Sequence, residues 1–132
     1  MSEPTPTPLR VLFCIGINQN FFDLPTGHGV KVWEAFSGMM SKLAALPGVR
    51  VLGDFDDDQH MVGPSGTWPW TSYILADVVD QKTVAEACNL FRTTPVGEYS
   101  LWRYAAIEAR IGRALTTPAS VSGNGPAKEA GQ

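Results

Sequence analysis

From Leu9 to Ile17 the chain reads LRVLFCIGI, a continuous apolar run rich in β-branched and aromatic residues, which predicts a strand covered on both faces. The polar, turn-forming stretch from Asn18 to Gly29 predicts a loop. Between Val30 and Leu46 apolar side chains recur at helical intervals, through Val32 or Trp33, Phe36, Met39 or Met40, and Leu43, the spacing of an amphipathic helix that Pro47-Gly48 then stops. Val49, Val51 and Leu52 begin a second strand that turns acidic over Asp54 to Asp58, and Gln59 to Gly66 reads as a loop. Trp70 to Val79 (WTSYILADVV) is a third strand of bulky β-formers with Pro69 fixing its start. Asp80 is placed to cap a helix over Lys82 to Thr93, whose stripe is Val84, Cys88 and Phe91, widened by Ala87 and Leu90. Thr94 to Gly97 is the turn that follows.

The last element, Ser100 to Leu115, carries two signals, because LWRY favours strand and AAIEARIGRAL favours helix. Strand is the reading adopted. It completes a β-α-β-β-α-β order, the ferredoxin-like α+β arrangement in which two helices cover one face of a four-stranded antiparallel sheet. Alternation along the first strand sets Val11, Phe13 and Ile15 on one side and Leu12 and Cys14 on the other, so both sides of the sheet need cover. Face-to-face dimerisation is the simplest cover. On the last strand the same alternation groups Trp102, Tyr104, Glu108 and Arg110 on the face toward the second subunit. Leu101, Ala105, Ile107 and Ala109 then lie beneath the helices, and Arg103 is left on the wrong face, explained by a bulge or a rim position. Residues 1–8 and 117–132, rich in Pro, Gly, Ser and Thr, are expected to be disordered tails around a single domain over 9–116.

Composition narrows the function classes. The chain has 132 residues, 44% of them hydrophobic and 10% aromatic, with a net charge of −3. No run of Lys or Arg is present to neutralise a phosphate backbone, which excludes nucleic acid as the expected partner. No stretch has the length of a membrane span, and the N-terminus lacks a basic and apolar leader, so a cytoplasmic protein is expected. Cys14 and Cys88, each within an apolar segment, read as two buried thiols of a reducing compartment.

The densest polar cluster is Asp54, Asp56, Asp57, Asp58 and His60. It fails as an EF-hand, with Gln59 where that loop needs glycine and Ser65 where it needs glutamate, so no metal is expected. His60 and Asp58 are the candidate proton carriers, with a surface-loop role as the plain alternative, and His28 has a weaker case. Trp68, Trp70, Tyr73, Trp102 and Tyr104 supply flat apolar walls for a ligand unless they serve only as core or dimer contacts. Arg103 and Arg110 are the candidate partners for a carboxylate. The amide of Asn18, followed by Gln19 and Asn20, either orients a ligand carbonyl or caps the loop. GxSxG, Walker, GxGxxG and HExxH motifs are all absent from the sequence. No cofactor is expected: His28 and His60 fall in predicted loops, away from any helical stripe suited to axial haem ligation.

Three segments, VLFCIGINQNFF, GDFDDDQHMVGPSGTWPWTSYILADV and CNLFRTTPVGEYSLWRYAAIEARIGRAL, resemble the IacB-type small proteins encoded beside indole-3-acetate (auxin) degrading enzymes. The resemblance implies a dimeric α+β barrel, a scaffold that hosts cofactor-independent monooxygenases, muconolactone isomerases and haem proteins, and fold alone does not decide among such reactions. It also implies a small cytoplasmic homodimer that binds and converts an aromatic acid intermediate of indole-3-acetate catabolism by isomerisation, hydrolysis or cofactor-free oxygenation. The alternative is a non-catalytic ligand-binding or accessory protein to a partner oxygenase. No residue role carries over by position.

Overall fold

In the computed structural model, which describes residues 7–59, 61–64 and 68–115, β1 (Leu9–Ile17) runs through the middle of a four-stranded sheet. On one side it pairs antiparallel with β3 (Ser72–Val78), which in turn pairs antiparallel with β2 (Val49–Asp56) at the edge. On the other side it pairs antiparallel with the last strand, β6 (Ala105–Gly112). The order β2-β3-β1-β6, with helices between β1 and β2 and between β3 and β6, is the α+β arrangement of a ferredoxin-like domain. The sequences expected to form tails, at 1–6 and 117–132, lie outside the described residues, as does His60.

Period-two alternation decides what each face carries. Val11, Phe13 and Ile15 of β1, Ile74, Ala76 and Val78 of β3 and Ala105 of β6 are buried together. Two helices cover them. Helix α2 (Thr26–Ala45) buries Val32, Phe36, Met39 and Leu43, and α3 (Gln81–Thr93) buries Thr83, Val84, Ala87 and Phe91. Asp80 caps α3 as its residue type predicts: Asp80 Oδ1 accepts from Thr83 N at 2.8 Å and from Thr83 Oγ1 at 2.7 Å. Gly48, at φ +90°, makes the turn from α2 into β2, and its carbonyl accepts from Val79 N at 2.9 Å.

No helix among the described residues covers the opposite face. Leu12 lies across from Leu75 and Arg110, Cys14 across from Tyr73 and Glu108, and Tyr73 across from Phe55. At one end Arg10 Nε meets Asp77 Oδ1 at 2.6 Å, and near the β6 edge Arg110 meets Glu108 at 2.6 Å. No helix among the described residues is long and apolar enough to cross a membrane.

Four expectations need correcting. The stretch after β1 is not simply a loop: a short helix α1 (Gln19–Phe22) forms there, and α2 begins at Thr26, ahead of Val30. Its N-terminal turn is started by Pro25, whose carbonyl accepts from both His28 N and Gly29 N at 3.0 Å, despite the low helix propensity of Gly27 and Gly29. His28 therefore sits on a helix. Trp70 and Thr71 precede the third strand, because the Thr71 amide turns to donate to Ile15 O at 2.8 Å and the segment crosses over β1.

The largest correction is at the last element, where Ser100 to Tyr104 is not part of the sheet. Two-residue strands β4 (Pro95–Val96) and β5 (Tyr99–Ser100) make a tight hairpin, with Gly97 at φ +61° in its turn, and Leu101–Arg103 form one 3-10 turn. Leu101 N donates to Thr94 O at 2.9 Å and closes the hairpin. The predicted common face of Trp102, Tyr104, Glu108 and Arg110 is thereby broken. Tyr104 turns into the core and Trp102 is exposed on the helix side beside Arg92, while Glu108 and Arg110 remain on the open face. β6 itself keeps its predicted alternation of faces, with Ala105, Ile107 and Ala109 toward the helices.

Candidate functional site

Two hollows meet at the end of the sheet where β2 finishes and β3 begins, and Asp57 and Thr71 border both. The backbone fixes this wall, since Asp57 N donates to Thr71 O at 2.9 Å.

The helix-side cleft, of about 510 Å³, opens between the sheet and the first turns of α2. Phe21 and Phe22 of α1, Trp33 and Phe36 of α2 and Tyr104 from the end of the 3-10 turn line it with aromatic surface. Trp33 stacks on Phe36 at 5.6 Å between centroids, and Phe21 meets Phe22 edge-on at 5.4 Å. Asp56, Asp57 and Asp58 stand at its mouth. Asp56 is held above the ordinary carboxylate range, first by hydrogen bonding to the Asp58 side chain and then by its negative charge, against an opposing bond from the Asp58 backbone. Two carboxyls joined by a side-chain hydrogen bond are placed to pass a proton between them.

Val32 and Tyr104 also border a smaller recess of about 240 Å³, which the cleft therefore adjoins. His28 and Lys31 of α2 line it together with Tyr99 and Glu98 of the hairpin. The Arg103 guanidinium lies over the Tyr99 ring at 3.9 Å. Lys31 and His28 thus share the recess with one carboxylate, Glu98, while three carboxylates line the cleft.

The open-face hollow, of about 460 Å³, is lined by Phe55, Asp57, Met61, Trp68, Trp70, Thr71 and Tyr73. The Tyr73 hydroxyl donates to Asp57 Oδ2 at 2.8 Å and accepts the indole N–H of Trp68. The Phe55 ring stacks on Tyr73 at 4.9 Å and 28°. Burial is the first cause of a Tyr73 phenol that ionises above its ordinary range; the Trp68 N–H opposes this and Asp57 adds to it. The Pro69–Trp70 segment passes close over Gly16, where any Cβ would run into the Pro69 carbonyl oxygen.

The structure brings together Trp68, Trp70 and Tyr73 on the open face, and Asp58 with Tyr104 in the cleft. It separates the rest. The Asn18 side-chain amide donates to Arg103 O at 3.1 Å, joined by Asn20 at 2.9 Å, so this pair holds the 3-10 turn against the end of β1. Trp102 receives Arg92 over its ring at 5.1 Å, and Arg110 pairs with Glu108 in the sheet, away from both hollows. Phe22, Trp33 and Lys31 were absent from the sequence reading of the site. The adjacent Phe21 and Phe22 in an otherwise polar stretch were the available signal, as was Trp33 beside Val32 on a stripe with room for only one of them. Among the described residues no group of three or more His, Cys, Asp or Glu side chains is placed to hold a metal ion. Comparisons with protein-family models, with curated proteins and with solved structures find no match for the chain.

Proposed function

We propose that the chain binds a small aromatic acid in the helix-side cleft and converts it, the ligand class being the indole-acetate-like intermediates that the IacB-type resemblance implies. The observation that carries this reading is the polarity of the cleft and the recess that adjoins it across Val32 and Tyr104. The aromatic-walled cleft carries the carboxylates Asp56, Asp57 and Asp58, and the adjoining recess carries Lys31 and His28 beside Glu98. A flat ring stacks among Phe22, Trp33 and Tyr104, and its carboxylate turns to the recess, where Lys31 lies beside the N-terminal turns of the twenty-residue α2. Lys31 takes over the carboxylate role expected of Arg103 or Arg110. The Asp56–Asp58 pair faces the far edge of the ring and moves the proton. A cytoplasmic homodimer completes the proposal, the second copy covering Leu12 and Leu75 at the middle of the open face.

Calorimetric titration with indole-3-acetate and with its neutral amide tests the reading. The acid is expected to bind at least about tenfold more tightly, a preference that Lys31→Gln removes. Trp33→Ala should weaken both ligands. Equal binding of acid and amide to the wild type overturns the assignment of Lys31. A second reading, binding without turnover, draws on the absence of any Ser, Thr or Cys hydrogen-bonded to a basic side chain among the described lining residues. Chromatography of the bound acid after prolonged incubation separates the two, because only the first consumes it.

A further inference from the structure

The open-face hollow has a chemistry unlike that of the cleft, and we propose that it is a cage for a methylated ammonium ion. Four rings, Phe55, Trp68, Trp70 and Tyr73, border it, and Asp57 supplies its formal charge. No Lys, Arg or His is among its described lining residues. An anionic ligand would face Asp57 with no cationic side chain among the described lining residues to balance it, so this hollow does not suit the acid assigned to the cleft. A cation gains from both groups: the ring faces carry the negative end of an aromatic quadrupole, and the carboxylate adds a full charge.

Two exposed rings elsewhere among the described residues already carry a cation. Arg92 covers Trp102 and Arg103 covers Tyr99. In the hollow, no Lys or Arg of the described residues covers any of the four rings.

The walls are set before a ligand arrives. Tyr73 is buried and bonded to Asp57, Trp68 is tied to the Tyr73 hydroxyl, Phe55 stacks on Tyr73, and Trp70 sits over Gly16. Side chains already fixed lose little rotamer freedom on binding. The shortage of oxygen acceptors narrows the class further. A primary ammonium or a metal ion is best held by several oxygens, whereas four rings and only three oxygen-bearing side chains, Asp57, Thr71 and the already bonded Tyr73, are among the described lining residues. A trimethylammonium group makes no hydrogen bonds and asks only for apolar surface and negative potential.

The test uses the whole chain, titrated with choline and with dimethylbutanol, its neutral isostere in which carbon replaces the nitrogen, and followed by tryptophan fluorescence and calorimetry. Choline is expected to bind saturably and about tenfold more tightly than the isostere. Asp57→Asn should erase that preference. Phe55→Leu, at a ring that is 62% exposed and so replaceable without unfolding the sheet, should weaken choline by about tenfold with an unchanged melting temperature. Equal binding of the two compounds, or no saturation by choline, overturns the proposal. So does loss of choline binding in Trp33→Leu together with its retention in Phe55→Leu, which would put the cation in the helix-side cleft. Indole-3-acetate binding reads the cleft and choline binding reads the cage, so either assignment can fail without the other.

Discussion

The Tyr73 hydroxyl and the Asp57 carboxylate, 2.8 Å apart, join the two faces of the sheet, because Tyr73 belongs to the open face and Asp57 borders both hollows. A phenol has one proton to give. The Trp70 carbonyl, at 3.3 Å, is the longer and uncharged alternative acceptor, so the proton goes to Asp57. This arrangement and the burial of the ring make Tyr73 reluctant to ionise.

Tyr73 should therefore titrate above the ordinary tyrosine range when followed by phenolate absorbance. Its folded pKa lies above its unfolded one, so its contribution to stability is complete below the unfolded value and is lost as pH rises through the folded value. Asp57→Asn removes a negative neighbour and should lower the midpoint. It should not restore the ordinary value, because burial is the larger cause. A midpoint that does not move in the variant would break the link between the two residues.

Asp56 also titrates above its ordinary range, for a different reason: Asp58 supports its protonated form. Asp58→Ala should return Asp56 toward the usual carboxylate value, read by side-chain carboxyl NMR. The sign again favours the protonated folded state, so this contribution is present at acid pH and lost as pH rises through the Asp56 folded pKa. An unshifted Asp56 resonance in the variant would remove the hydrogen-bonded carboxyl pair from the cleft mouth.

Gly16→Ala should cost roughly 1–3 kcal/mol, because the new methyl group meets the Pro69 carbonyl and the crossing segment has to lift. Trp70 should move with it, changing the fluorescence of the native protein. Gly38→Ala is the control, since it lies in α2 with nothing within 4 Å of a Cβ; it should stabilise by about 0.5–1 kcal/mol. Denaturant unfolding measures both, and a neutral Gly16 variant would show that the crossing yields easily.

Asp80→Ala should lower the melting temperature near neutral pH by several degrees, and Asp80→Ser by much less. The two bonds from Thr83 hold the Asp80 carboxyl below its ordinary range. Its stabilisation is present above the unfolded carboxylate pKa and is lost as pH falls through the folded value. The difference between wild type and the alanine variant should accordingly shrink in acid, and a difference independent of pH would mean that the charge has no part in the cap.

What the sequence made legible was local. The helix stripes ending in Leu43 and Phe91, the cap at Asp80 and the alternation of Val11, Phe13 and Ile15 each depend on residues a few positions apart, and each forms as read. The Trp68, Trp70 and Tyr73 grouping was visible for the same reason. The failure at Trp102 and Tyr104 has a distant cause. LWRY has strand propensity, but Thr94 fixes the Leu101 amide and Asn18 and Asn20 together hold the Arg103 carbonyl, from more than eighty positions away. Lys31 escaped notice, and His28 was placed in a loop, because Gly27 and Gly29 masked the start of α2. Their meeting with Tyr99 depends on how the hairpin folds back over the helix.

The central place of β1 also governs how the chain acquires its shape during synthesis. The strand made first has both partners downstream: Leu9 waits for Val78, and Arg10 waits for Gly112. Until the ribosome has released β6, one margin of this apolar strand stays unpaired, and the loop entropy of the latest pairing is large. Folding of the sheet is thus expected to be a late, nearly all-or-none event in translation. Chains halted before β6 would present Phe13 and Ile15 to chaperones and to one another.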